Sequence, residues 1–89
     1  MLLFTRNRKM EHELKISPRY FAEVVSGAKT FEVRDNDRDF QQCDTVMLRE
    51  FDPTILGYTN RFARYAIGFV TSYEQKPGFV VFSLLPIPE

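Results

Sequence analysis

One cysteine, one histidine and no tryptophan stand in a chain of 89 residues. Cys43 alone cannot form an intramolecular disulfide, and with a single His12 it cannot complete a Cys/His zinc cage. The expectation is an intracellular protein that needs no metal and no cofactor. Nowhere does an apolar run approach the roughly 20 residues of a membrane span. Met1-Leu2-Leu3-Phe4 precedes Arg6, Arg8 and Lys9, the reverse of the order in a secretory signal. A cytoplasmic location is therefore expected, with no membrane partner. Net charge is missing too, since 12 basic and 12 acidic residues balance. That excludes coating nucleic acid by bulk charge and leaves room for a local basic cleft. No repeat, linker or low-complexity stretch divides the sequence, and its length holds one core.

Aromatics and arginine fill the space that these absences leave. There are nine Phe and four Tyr, and eight of the 12 cations are Arg. Arginine suits planar, two-pronged recognition of phosphate or carboxylate, although surface ion pairs would enrich it equally.

Residues 1–9 show no period and read as a mobile tail; residues 10–89 read as a single domain. His12-Glu13-Leu14-Lys15-Ile16 alternates as a strand, with His12, Leu14 and Ile16 on one face. Ser17-Pro18 supplies an N-cap and a first-turn proline, and Ile16 can pack on Phe21 across the helix start. Tyr20, Phe21, Val24, Val25 and Ala28 form the apolar stripe of that helix, and Gly27 closes it. From Thr30 the pattern alternates again. Phe31 and Val33 are expected to face the core, with Glu32 and Arg34 on the opposite side and Lys29 at the mouth.

The run Asp35-Asn36-Asp37-Arg38-Asp39 has carboxylates at calcium-like spacing. Phe40 and Val46 occupy the sixth and twelfth positions, where an EF-hand needs Gly and Glu. Turns closed by Asp and Asn side chains are the simpler reading. Thr45 to Phe51 is a strand in which Glu50 shares a face with Val46 and Leu48. It is either a rim residue or a second cleft carboxylate. Asp52 to Arg61 reads as a long hairpin connection in which Asn60 suits a left-handed conformation. Arg61 and Arg64 lie among Tyr58, Phe62 and Tyr65, which fits stacked bases or an ordinary barrel edge equally well. Tyr65 to Tyr73 is a long strand, with Ile67, Phe69 and Thr71 on one face. Pro77-Gly78 is a type II turn, and Phe79 to Leu85 a strand buried on both sides. One helix and about five strands make an α+β domain built as a small mixed β-barrel.

Gly27-x-Lys29-x-x-Glu32-x-Arg34 resembles the signature of the ASCH (activating signal cointegrator homology) domain, a small barrel related to the PUA RNA-binding fold. His12 to Ile16, Tyr20-Phe21, Lys29 to Phe40, Leu48-x-Glu50 and Gly57-Tyr58-Thr59 extend the likeness to nearly everything from Met10 to Leu84. They are similar to a largely uncharacterised bacterial and phage branch described as ASCH-like RNA-binding. The resemblance implies a PUA-like fold and an RNA or nucleotide ligand. His12, Lys29, Glu32, Arg34, Arg38, Glu50 and Arg61 are the candidate binding residues. Lys29, Arg34, Arg38 and Arg61 would hold phosphate or base edges, and Glu32 or Glu50 would accept from a base.

The resemblance also carries an alternative. Some ASCH relatives hydrolyse acylated cytidine nucleosides with a Lys at the position of Lys29 and a Thr three residues later. Glu32 occupies that second place here. An amidohydrolase acting on a modified nucleoside would draw on Lys29, Glu32 and Glu50 as catalytic candidates. A partner-binding or inhibitor protein of phage type is a third class. Lys29, Glu32 and Arg34 are expected to converge with Glu50, and with His12, in one cleft under the helix. On this reading Arg34→Ala removes binding and changes stability little.

Overall fold

A computed structural model of the chain describes residues 8–88. Most of the expected mobile tail, residues 1–7, lies outside the described residues. The elements run β1 (Glu11–Ile16), α1 (Pro18–Val25), β2 (Phe31–Asp35), β3 (Thr45–Asp52), β4 (Gly57–Thr71) and β5 (Phe79–Pro86). They form one five-stranded sheet in the order β1-β3-β4-β5-β2. β1 runs parallel to β3, with Glu11 opposite Thr45 and Ile16 opposite Glu50. The other three pairings are antiparallel. The α+β class with one helix and five strands agrees with the sequence reading.

The sheet curls until its two end strands face each other. They are not joined by a backbone ladder. Arg34 Nη2 of β2 donates to the Lys15 carbonyl of β1 at 2.9 Å, and Arg38 Nη1 donates to the Glu13 carbonyl. Two guanidinium groups thus bridge the seam of a half-barrel and occupy carbonyls that an edge strand would leave unpaired.

Inside the curl lie Leu14, Ile16, Val46, Leu48, Ile67, Val80, Phe82 and Leu84 from the strands, with Phe21 and Val24 from α1 and Phe40 from the β2–β3 loop. Ser17 caps the helix through its Oγ, which accepts from Tyr20 N, and Pro18 opens the first turn. The buried stripe is narrower than expected. Tyr20 and Val25 are half-exposed, so only Phe21 and Val24 enter the core. Gly27 takes φ +86° and turns the chain from the helix into β2.

β2 corrects the sequence reading outright. Glu32 is buried, whereas Phe31 and Val33 are 45% and 47% exposed. Alternation is present, but its polarity is inverted: the charged pair faces inward and the apolar pair outward. β5 is corrected in part. Val80, Phe82 and Leu84 are buried and the residues between them are not, so β5 is covered mainly on one side.

The connection between β3 and β4 is only residues 53–56, because β4 already begins at Gly57. At its start Thr54 donates from both N and Oγ1 to Asp52 Oδ1, which holds the Asp52 carboxyl below the usual range. The expected type II turn is present, with Phe79 N donating to Lys76 O at 2.9 Å and Gly78 at φ +84°.

Two irregularities in β4 break its alternation. Between Ile67 and Val70 it carries one residue more than β5, so Ile67 and Gly68 are both buried while Phe69 is 69% exposed. The expected shared face of Ile67 and Phe69 is lost there. A Cβ on Gly68 would lie 2.3 Å from Ser83 Oγ and 3.2 Å from Leu85. That hydroxyl is fixed by accepting from Phe69 N at 2.9 Å. Gly68→Ala is therefore expected to destabilise the fold by about 1–3 kcal/mol, read as a lower midpoint in urea unfolding. An unchanged midpoint would mean that the bulge relaxes freely.

Candidate functional site

A cleft of about 930 Å³ opens at the seam, between the end of β1, the exposed flank of α1 and β2. Its walls include Lys15, Arg19, Tyr20, Glu23, Lys29, Phe31, Glu32 and Arg34. Local sequence explains how Lys29 reaches it. After Gly27 the chain folds back, Ser26 Oγ accepts from Ala28 N, and Lys29 N donates to Glu23 O at 2.9 Å. The Lys29 ammonium then donates to Glu32 Oε1 at 2.9 Å and to the Phe31 carbonyl at 2.7 Å. Arg34 Nε holds the other Glu32 oxygen at 3.0 Å, while its Nη2 crosses to β1.

Glu32 is thus a carboxylate only 4% exposed, clamped by one cation on each oxygen. Burying such a group is costly unless it is paired or serves a ligand, and here it is paired. The rings of Tyr20 and Phe31 lie 5.5 Å and 5.0 Å from Lys29 Nζ, within cation–π range. Arg19, Lys29 and Arg34 stand against Glu23 and Glu32 along this cleft, whereas the Lys15 ammonium lies 4.4 Å from the Phe51 ring, outside the lining; the cleft is thus slightly positive in a chain of zero net charge.

Glu50 forms a separate centre. It is 1% exposed and accepts from Arg61 Nε at 2.8 Å, Arg61 Nη2 at 3.0 Å and Thr59 Oγ1 at 2.6 Å. The second irregularity of β4 creates this grip. Arg49 pairs with Phe62 and Phe51 with Tyr58, so Glu50 alone stands opposite Thr59, Asn60 and Arg61. Asn60, at φ +72°, sits at the centre of this irregularity, between the Thr59 and Arg61 side chains that both reach Glu50. The Arg61 guanidinium also lies 5.8 Å from the Phe21 ring, under α1.

The chain matches the family described as Domain of unknown function (DUF3850) over residues 11–84. It belongs to that family. It is also similar to an uncharacterized 12.9 kDa protein in the GpA 3′ region of Escherichia phage P2, with 40% identity over 40 residues. That match covers 45% of this chain and 37% of the phage protein. Neither description names a ligand or an activity.

Within this DUF3850 domain the expected single cleft separates into three places. Lys29, Glu32 and Arg34 come together. Glu50 and Arg61 pair with each other instead, and neither lines the cleft. His12 lies at the far end of β1, roughly 13 Å along the strand from Ile16. Its Nε2 is 2.8 Å from Asp44 Oδ2 and its ring packs edge-on against Phe40 at 4.8 Å. Asp44, 1% exposed, also accepts from Met10 N and Gln41 N. His12 is therefore buried structure and does not line the cleft, because its ring completes the interior beneath Phe40. Arg38 braces the seam and lies 4.0 Å from Asp37.

Lys15, Arg19, Tyr20 and Phe31 line the cleft without having been singled out. They flank the Ser17-Pro18 helix start or belong to the inverted strand. The helix start was readable, but its exposed flank was not visible from an apolar stripe. Asp44 follows Cys43, which has φ +77°.

Proposed function

We propose that this DUF3850 domain binds RNA or a nucleotide in the seam cleft, as a module of the ASCH and PUA-like kind acting inside the cell. The observation that carries the reading is the buried Glu32 carboxylate at an open, cation-lined cleft with two half-exposed aromatic rings beside it. Arg19 offers charge to phosphate. Tyr20 and Phe31 offer ring faces to a base. Glu32, once it exchanges one cation for a base amino group, offers an acceptor. Single-stranded or looped RNA fits such a cleft better than duplex, because its bases can be splayed out.

The amidohydrolase alternative meets an obstacle here. Both Glu32 oxygens already accept from cations, and Glu50 is held by Arg61 away from the cleft. In this arrangement Glu50 has no access to the cleft, and Glu32 would have to release a cation before it could act as a base.

Mononucleotides, acylated cytidine and short labelled RNA oligomers, titrated by fluorescence anisotropy and thermal shift, test the proposal. Tyr20→Ala is expected to weaken RNA binding about tenfold or more, as loss of one base stack does. Arg19→Ala should reduce the salt slope by about one phosphate contact. Both side chains are exposed, so stability should hold. Unchanged affinity in both variants would overturn the reading, and turnover of the acylated nucleoside would favour the hydrolase.

A further inference from the structure

The run of cations and aromatics that opens β4 divides once folded. Tyr65 packs against the core, whereas Tyr58 and Phe62 stand on the outer face with Lys15 of β1 and Arg49 of β3. Lys15, Arg49 and Phe62 are directly paired across the three strands and form one row. Phe51 and Tyr58 pair in the next row, their rings edge to face at 5.2 Å. The Lys15 ammonium lies 4.4 Å from the Phe51 ring and 5.9 Å from the Tyr58 ring. The Arg49 guanidinium lies 3.8 Å from the same Tyr58 ring. Two cations thus converge on one tyrosine.

The acids of this face do not balance its cations. Glu13 pairs with Arg49 and Glu11 with Arg64, while Lys15 pairs with no carboxylate among the described residues. Like charges side by side on a sheet repel, so the row carries one cation in excess. At its far end Phe62, 59% exposed, lines a hollow of about 350 Å³ with Glu13, Arg49, Asn60 and Arg61.

We propose that this outer row is a second contact for single-stranded RNA, continuing the strand held in the seam cleft. It rests on the RNA reading of that cleft and extends it. β1 connects the two places. Lys15 borders the cleft, where Arg34 holds its carbonyl, and its ammonium emerges on the outer face. A phosphate between Lys15 and Arg49 neutralises the excess charge. The next base stacks on Phe62, one strand spacing of about 4.8 Å further on. An acidic peptide would answer the cations and leave the exposed ring unused, whereas RNA engages both.

Fluorescence anisotropy with a labelled uridine dinucleotide and a labelled ten-nucleotide uridine RNA tests this. The longer strand should bind the wild type at least tenfold tighter than the dinucleotide. Phe62→Ala should weaken binding of the longer strand about tenfold. Lys15→Ala should lower its salt slope by about 0.7. Neither variant should change dinucleotide binding, and both side chains are exposed, so circular dichroism should show wild-type folding. Phe69→Ala removes another exposed ring of β4, past the last residue paired with β3, and should bind as the wild type does. Tyr20→Ala keeps the two sites apart. If it leaves both RNAs bound as before while Phe62→Ala weakens the longer one, the cleft reading fails and the outer row stands alone as the RNA contact. A longer strand bound no tighter than the dinucleotide would overturn the proposal. So would wild-type binding of that strand in both Phe62→Ala and Lys15→Ala, or its equal displacement by a ten-residue oligoglutamate.

Discussion

Arg61→Ala is expected to cost the fold about 3 kcal/mol, the lower part of the range for breaking a buried ion pair. Glu50 is 1% exposed and depends on Arg61 for two of its three side-chain hydrogen bonds. Alanine leaves the carboxylate with Thr59 alone, in a place that water reaches poorly. The lower part of the range applies because the Arg61 side chain is itself 68% exposed, so solvent shares in holding the pair. For a domain of this size such a loss lowers the melting temperature by roughly 12–24 °C.

Two controls separate this account from a general loss of surface charge. Arg64→Ala breaks the pair with Glu11, whose partners are 50% and 41% exposed, and should cost about 1 kcal/mol or less. Adding Glu50→Met to Arg61→Ala should recover much of the loss, because the orphaned charge is then gone. A loss as small for Arg61→Ala as for Arg64→Ala would refute a buried, dependent Glu50.

Glu50 also shows what the sequence made legible. Parity placed Glu50 on the face of Val46 and Leu48 and left open whether it sat at the rim or in the cleft; it is buried instead, held by Arg61 and Thr59 apart from the cleft. The helix start was equally readable, because Ser17 and Pro18 act on their immediate neighbours. β1 kept its alternation with His12, Leu14 and Ile16 inside. What failed was any feature settled by distant chain. Alternation in β2 says that Glu32 and Phe31 face opposite ways, but not which of them faces in. The core is already filled by α1, β1, β3 and β5, and Arg34 finds its second acceptor on Lys15, 19 residues away. Those non-local partners outweigh the burial of one Phe and one Val. The bulges of β4 were invisible for a related reason. A bulge shows only against its partner strand, and Asn60 was the single local hint of one. His12 and Glu50 shared a parity with core residues, which fixed their face but not their position along the barrel.

Arg34→Ala is expected to change both stability and binding, where the sequence alone suggested binding only. The guanidinium holds Glu32 at 3.0 Å and the Lys15 carbonyl at 2.9 Å, with its side chain 24% exposed. Its removal leaves Glu32 to Lys29 and returns one bridged carbonyl of β1 to water. Loss of a hydrogen bond to a charged group, partly offset by Lys29, puts the cost at about 2 kcal/mol. Because the seam has no backbone ladder, the loss should be local. Amide hydrogen exchange is expected to quicken in β1 around Glu13 to Lys15, with β4 and β5 unchanged. Arg34→Lys can still neutralise Glu32, but a single ammonium does not span both acceptors as the planar fork does, so β1 exchange should remain fast while most of the stability returns. RNA affinity decides what the residue does beyond bracing. A tenfold or greater loss in Arg34→Lys, whose stability is mostly restored, would assign Arg34 to the ligand. Wild-type affinity in that variant would leave it as a strut of the seam, and unchanged β1 exchange in Arg34→Ala would remove even that role.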